Sequence, residues 1–268
     1  MVGKEAVDEL GQSIVAYWDG RAQTYSNGVL GELSDKRRCA WQRVLARTAH
    51  GRIASAAAEG RMARALDLGC GPGFFSILLA EEGCAVSAVD MSTAMLNRAR
   101  ENAAAAVPDA PIEFVRCDAS RLPFADASFD IAVSRNLTWL MRDPEGAYAE
   151  WLRVLVPGGK LVVFDANWYR YLVDAEVDEA RLRDQGSAKL ADYDENSMAT
   201  DDEERRCERI ASMLPLTAIK RPQWDVNTLV RLGARRVEVN EAVWQDLWTP
   251  SEQSFYASSP LFLIEAYK

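Results

Sequence analysis

The chain has 268 residues, 49% of them apolar, enough to build a sizeable core, and its formal net charge is −9. That balance excludes the broad basic surface a nucleic-acid partner needs, and no apolar run approaches the roughly 18 residues of a membrane span. Five cysteines without a CxxC pair and the single His50 argue against a disulfide framework, a thiolate zinc site and any multi-histidine metal site, so no metal is expected.

In chain order, residues 4–60 carry helical patterns, with a long helix over 35–58, and are expected to cap the mouth of a site. The opening MVGKEAVDEL lacks the apolar core of a signal peptide, and a cytoplasmic location is expected. Tyr17, Arg21 and Tyr25 recur four apart, so a helix would set them on one face beside Trp18. Strands are expected near 64–68, 85–89, 112–116, 129–134 and 160–165. Helices near 73–82, 92–106 and 144–155 alternate with them, and a further crossover lies between 117 and 128. This alternation predicts an α/β fold with right-handed βαβ units in a mostly parallel sheet, helices on both faces. Pro157, Gly158 and Gly159 signal a tight turn before the fifth strand. Beyond it lies an insertion of about 55 residues, then a helix over 224–232 and strands over 236–243 and 261–267. Seven strands result. Between Asp174 and Glu208 the insertion holds 13 acidic residues against 5 basic ones, which nearly accounts for the whole net charge.

The segment ALDLGCGPGFFSILLAEEGCAVSAVD, residues 65–90, is the most informative. An apolar strand stops at Gly69, and Gly69, Gly71 and Gly73 lack the Cβ that would block positive φ or a ligand's approach to the backbone. Pro72 surrenders an N–H near the first turn of a helix, where that donor has no partner anyway. A second strand ends in Asp90, 23 positions after Asp67 and placed to accept hydrogen bonds from ribose hydroxyls. A dinucleotide crevice wants GxGxxG, with amides facing a pyrophosphate. This turn is GxGxG preceded by an acid, which suits a nucleoside bearing an ammonium group instead.

DLGCGPG at 67–73, VDMS at 89–92, CDASRLPF at 117–124, FDIAVSRN at 129–136 and RVLVPGGKLVVFD at 153–165 follow one another in the order of class I S-adenosylmethionine-dependent methyltransferases, which the chain resembles. It is most similar to the small-molecule branch that includes the ubiquinone and menaquinone biosynthesis methyltransferases. The resemblance is strong over 62–166, weaker over YWDGRAQTY at 17–25 and over the tail from 222. It implies a Rossmann-like seven-stranded sheet organised as a helical cap (1–60), a cofactor-binding core (61–166), an acidic insertion or lid (167–222) and C-terminal strands completing the sheet (223–268). It implies S-adenosylmethionine as cofactor, S-adenosylhomocysteine as product and a small-molecule acceptor, cationic or aromatic. By the resemblance, Asp67, Gly69, Cys70, Gly71 and Gly73 hold the methionine portion, Asp90 the ribose, and Met91 one adenine face. Asp118 and Ala119 meet the adenine edge, Ser134 and Arg135 close the pocket, and Tyr17 and Tyr25 fold over it.

Asn136 and Trp139 follow the fourth strand, and Asp165, Asn167 and Trp168 follow the fifth, so these five are the candidate acceptor wall. The tryptophans could stack on a planar acceptor or cradle a cation, with Asp165 or an insertion carboxylate as counter-charge. They could equally be plain apolar wall, with the acidic insertion a solvated helix face. Methyl transfer is an in-line displacement at an already activated carbon, so alignment and exclusion of water could suffice without a dedicated base. His50, Asp165 and Tyr25 are the candidates if a proton must leave. Two other readings share the crevice, a non-catalytic cofactor-binding protein and an NAD-type oxidoreductase. Arsenite methylation would require Cys39, Cys117 and Cys207 to meet.

Overall fold

The computed structural model describes residues 3–34, 36–187 and 198–268. Seven strands form one sheet: β1 (Arg64–Leu68), β2 (Ala85–Asp90), β3 (Ile112–Arg116), β4 (Phe129–Arg135), β5 (Leu155–Asp165), β6 (Arg236–Asn240) and β7 (Phe262–Tyr267). Their order is 3-2-1-4-5-7-6, and the first five run parallel while β7 lies antiparallel to both β5 and β6. The order reverses between β1 and β4, which opens a crevice beyond their carboxyl ends.

Side chains alternate across the sheet and feed two apolar layers. Leu66, Leu68, Ala132, Leu161, Val163 and Ile264 point to one face, where helices α5 (Pro144–Val154) and α8 (Gln223–Arg231) pack through Tyr148, Trp151 and Leu229. Ala65, Val86, Ile131, Val133, Val162 and Phe164 point to the other, against α2 (Lys36–Ala58) and α3 (Phe74–Glu81) through Trp41, Leu45, Phe75 and Ile77. Every residue of β4 before Arg135 is buried, as a central strand covered on both faces requires. One is the acid Asp130, which accepts hydrogen bonds from Arg61, Arg52 and the Arg64 amide.

The helical N-terminal region is two long helices, α1 (Gly3–Ser34) and α2. Helix α1 lies on α4 (Thr93–Ala106), where Asp19 Oδ1 accepts from Ser92 Oγ at 2.5 Å and from the Ala94 amide at 3.2 Å. Asp19 thereby serves the unsatisfied amides at the α4 start that Ser92 also caps.

The crossover expected over 117–128 joins β3 to β4 without a helix. Two local expectations need correction. Pro157–Gly159 makes no turn between separate elements: β5 already starts at Leu155, and the register against β4 shifts between Phe129 and Ile131. That bulge is held by Gly158 N donating to Lys268 O and Lys268 N donating to Gly159 O. The sixth strand stops at Asn240, and Val243 instead buries itself as the start of helix α9 (Val243–Leu247).

Residues 167–222 contribute a short 3₁₀ turn (Arg170–Leu172), α6 (Ala175–Ser187), α7 (Asp201–Ser212) and another 3₁₀ turn (Pro215–Ala218); part of the acidic run, 188–197, lies outside the described residues. The acidity has a local cause. Asp201, Asp202, Glu203 and Glu204 fill the first turn of α7 and Glu176 and Asp178 that of α6, where negative charge complements the helix dipole. Helix α7 packs on α1, and α6 on α10 (Pro250–Phe255), so this region lies over the strand ends.

Candidate active site

Two adjoining cavities occupy the crevice. The first is lined by Gly69 and Gly71 after β1, Asp90, Met91 and Ser92 at the end of β2, Cys117 to Ser120 after β3, and Arg135, Asn136 and Leu137 at the end of β4. Helix α1 closes it with Gly11, Ile14, Val15, Trp18 and Tyr25, an i, i+3, i+4, i+7 set that makes one helix face. The Asp90 carboxylate is anchored by backbone: Oδ2 accepts from Gly71 N at 2.9 Å and Oδ1 from Ser92 N at 2.8 Å. Burial pushes its pKa up to about 6 against the pull of those amides, with Asp19 adding repulsion. Asp118 Oδ1 accepts from Ser120 N and Oγ, and its Oδ2 faces Arg142 at 3.2 Å.

The expected residues divide sharply. Gly69, Gly71, Asp90, Met91, Asp118, Ala119, Tyr25 and Arg135 line the first cavity, whereas Asp67, Cys70, Gly73 and Ser134 line neither. Asp67 is 2% exposed and accepts a 2.6 Å hydrogen bond from Ser76 Oγ, and burial raises its pKa to about 7. Gly73 serves packing: its φ is +93°, and a Cβ there would meet Ala99 of α4 at 3.3 Å. Cys70 gives its amide to Val89 O, and burial pushes its thiol far above the usual range, which disfavours the thiolate. Ser134 is fully buried within β4.

The second cavity, about 560 Å³, lies under the insertion and shares Trp18, Tyr25, Arg135 and Asn136 with the first. Asn136 sits at the join with φ +54°, in the left-handed region that asparagine tolerates better than most side chains. Its amide donates to Phe164 O, its carbonyl accepts from Trp139 Nε1, and its Oδ1 is shielded with no protein hydrogen-bond partner. Arg135 is fixed beside it, 4.5 Å over both the Trp41 and Phe74 rings and bonded at 2.8 Å to Glu32.

Of the candidate acceptor residues, Asn136, Trp139 and Trp168 line this second cavity, and Asp165 and Asn167 do not. Asp165 is fully buried and accepts four hydrogen bonds: from the Ala166 amide and Trp168 Nε1 at Oδ1, and from the Trp139 amide and Arg221 Nη1 at Oδ2. Asn167 exchanges two hydrogen bonds with the Arg221 backbone, stapling the start of the insertion to its end. Tyr17 lines the second cavity, not the first. His50 is exposed on α2 and Asp165 is consumed by its partners, so of the three candidate bases only Tyr25 reaches the cavities. The three cysteines are dispersed: Cys39 is exposed on α2, Cys117 lines the first cavity and Cys207 the second, and no metal-binding cluster occurs among the described residues.

Sequence reasoning missed Trp248, Tyr256, Tyr169 and Tyr171, which complete an aromatic wall. Trp168, Trp248 and Tyr256 lie with ring centroids 5.5–6.4 Å apart, and Trp139 meets Tyr169 at 4.7 Å. Helical phase offered one usable signal. Tyr17, Arg21, Gly28 and Glu32 share the α1 face turned to the second cavity, one step around from the Ile14 and Trp18 face.

Known proteins agree with this architecture. Residues 66–163 match the Methyltransf_11 family model, described as a methyltransferase domain. A demethylmenaquinone methyltransferase from Renibacterium salmoninarum is 36% identical over 165 residues, covering 60% of this chain and 62% of the relative. A malonyl-(acyl-carrier protein) O-methyltransferase from Enterobacter lignolyticus is 39% identical over 101 residues, 38% of each chain. The chain thus spans less than two thirds of the curated relatives it matches. Among solved structures, an S-adenosylmethionine-dependent methyltransferase from Mesorhizobium loti is similar at 25% identity and a TM-score of 0.51, over 77% of this chain and 91% of that one.

Proposed function

We propose that this chain, whose residues 66–163 match the Methyltransf_11 model of a methyltransferase domain, transfers a methyl group from S-adenosylmethionine to a small-molecule acceptor held in the aromatic cleft. The observation that carries the reading is the join of two cavities at Asn136: one built on the glycine turn and Asp90, the other walled by aromatic rings.

The residues fit such a cofactor. Gly69 and Gly71 adopt φ of +61° and +50°, keeping the backbone open where a side chain would intrude. Asp90 presents an anchored carboxylate that suits a pair of ribose hydroxyls, and Met91, Leu137 and Met141 offer an apolar slot for a base. The unpartnered Asn136 Oδ1 is an acceptor available to a ligand at the join. The chemistry the cofactor supplies when bound is a methyl carbon on positive sulfur, displaced in line by an acceptor's electron pair while the carbon–sulfur pair returns to sulfur. The chain's part is alignment and desolvation: Trp18 and Tyr25 cover the join, Trp139 and Trp168 hold a planar or apolar acceptor body, and helices α6 and α7 exclude water. No side chain is assigned as an obligatory base.

In this reading residues 1–60 cap the cofactor side, 61–166 bind it, 167–222 roof the acceptor and 223–268 complete the sheet. The net charge of −9 supports an acceptor other than nucleic acid. No helix among the described residues is long and apolar enough to cross a membrane; we propose a cytoplasmic enzyme. The test is calorimetry and thermal unfolding. S-adenosylmethionine and S-adenosylhomocysteine should bind and raise the melting temperature, Asp90→Ala should abolish the shift, and NAD should give none. Binding of NAD without binding of either sulfur ligand would overturn the proposal.

A further inference from the structure

The second cavity contains four arginines, and each already faces a carboxylate: Arg37 with Glu252 at 3.3 Å, Arg135 with Glu32 at 2.8 Å, Arg21 with Glu203 at 3.4 Å and Arg181 with Asp178 at 2.7 Å. An anionic acceptor would therefore meet cations whose charge is matched. Two further lining carboxylates, Glu204 and Glu208, make no ion pair with an arginine among the described residues; Glu208 accepts a 2.8 Å hydrogen bond from Tyr171 Oη. They stand one turn apart on α7, a spacing at which like charges repel. Burial, with Asp201 and Glu208, raises the proton affinity of Glu204, and Arg181 and Arg21, ion-paired with Asp178 and Glu203, offset this in part. Tyr256, packed against Trp168 and Trp248, feels the same field: burial and then Glu252, Glu204 and Glu32 push its hydroxyl above the usual phenol range. A cavity that sets ring faces beside two carboxylates without an arginine ion pair, while its arginines are each held by another acid, is complementary to an organic cation.

We infer that the acceptor is an organic cation, an amine on an aromatic or apolar body, with its ammonium between the aromatic wall and the Glu204–Glu208 face of α7 and its methyl-accepting end at Asn136. This rests on the methyltransferase reading above and specifies its acceptor. Asp165, the other carboxylate near the tryptophans, is excluded as counter-charge because Arg221 already neutralises it out of the cavity. The two ends of the cleft keep the acceptor's charge away from the cofactor's positive sulfur, which like-charge repulsion favours.

The experiment uses the full chain saturated with S-adenosylhomocysteine and three matched probes, phenethylamine, phenethyl alcohol and phenylacetate, followed by calorimetry and tryptophan quenching. Phenethylamine should bind about tenfold or more tighter than the alcohol, and phenylacetate weakest. In the Glu204→Gln/Glu208→Gln variant the advantage of the amine should fall to about twofold or less, with S-adenosylhomocysteine affinity unchanged as the control for folding. The inference is overturned if the alcohol or phenylacetate binds as tightly as the amine, if the amine does not bind at millimolar concentration, or if the double variant keeps the preference. Failure of the wild-type chain to bind S-adenosylhomocysteine would overturn the methyltransferase reading instead, so the two failures are distinguishable.

Discussion

Arg221 Nη1 donates a 2.6 Å hydrogen bond to Asp165 Oδ2, with the side chains 1% and 0% exposed. The same guanidinium binds Asp225, which accepts from Tyr148 Oη, so one cation at the end of the insertion bridges two acids beneath the acceptor wall. Removing it leaves both acids buried without a counter-charge. Arg221→Met should therefore cost about 3–5 kcal/mol, read as a lower urea midpoint. Asp165→Asn should cost less and should shift tryptophan emission, because Trp139 and Trp168 both bond to that carboxylate. A destabilisation by Arg221→Met below about 1 kcal/mol would show that the cluster is not what holds the insertion to the strand ends.

Asp67 makes the opposite kind of contribution. Its pKa of about 7, raised by burial, means the folded chain retains a proton that the unfolded chain gives up above about pH 4. The stability this group contributes is thus present in acid and is lost as pH rises through about 7. Asp67→Asn keeps an acceptor for Ser76 and removes the charge, so the melting temperature at about pH 8 should rise by on the order of 2–4 °C. The difference from the parent chain should shrink as pH falls from about 7 and vanish only below about pH 4. A lower melting temperature at pH 8 would contradict the sign.

Asp90 should couple ligand binding to pH through the same physics. Its carboxylate can accept from two hydroxyls only when deprotonated, and its pKa in the free chain is about 6. Affinity for S-adenosylhomocysteine should be level above about pH 7 and fall by up to about tenfold per pH unit below 6. Asp90→Asn should weaken binding and flatten that dependence; calorimetry across pH reads both effects.

The two glycines of the turn should respond differently to a methyl group. A Cβ on Gly69 would lie 2.7 Å from Leu137 Cδ1, whereas one on Gly71 would meet Tyr25 at an ordinary 3.7 Å. Both alanine variants carry the left-handed backbone penalty of roughly 1–2 kcal/mol, but Gly69→Ala should cost more. Adding Leu137→Ala should recover part of the Gly69→Ala loss and none of the Gly71→Ala loss. Equal rescue in both would disprove the steric assignment.

The crevice was legible in the sequence because its signals are local: Gly69, Gly71 and Asp90 are dictated by backbone conformation within one β–α–β unit, and the strand order follows from alternation. Asp67, Ser134 and Asp165 lie outside the two cavities for a related reason. A polar residue at a strand's carboxyl end either faces the cavity or turns into the core, and the direction depends on a partner far along the chain, such as Arg221 for Asp165. The bulge at Pro157–Gly159 was hidden likewise, since a turn signal and a bulge differ only in what pairs across it.

By itself, then, the amino-acid order determined the sheet, the glycine turn and the acid that ends the second strand, since each follows from φ, burial period and chain reach over a few tens of residues. The tertiary structure alone decided what the acceptor cleft is made of. Its walls come from α1, the β4 and β5 ends, α6, α7 and the segment around Trp248 and Tyr256. Those elements have no shared period or spacing, and only their packing over one sheet edge brings the rings and carboxylates together.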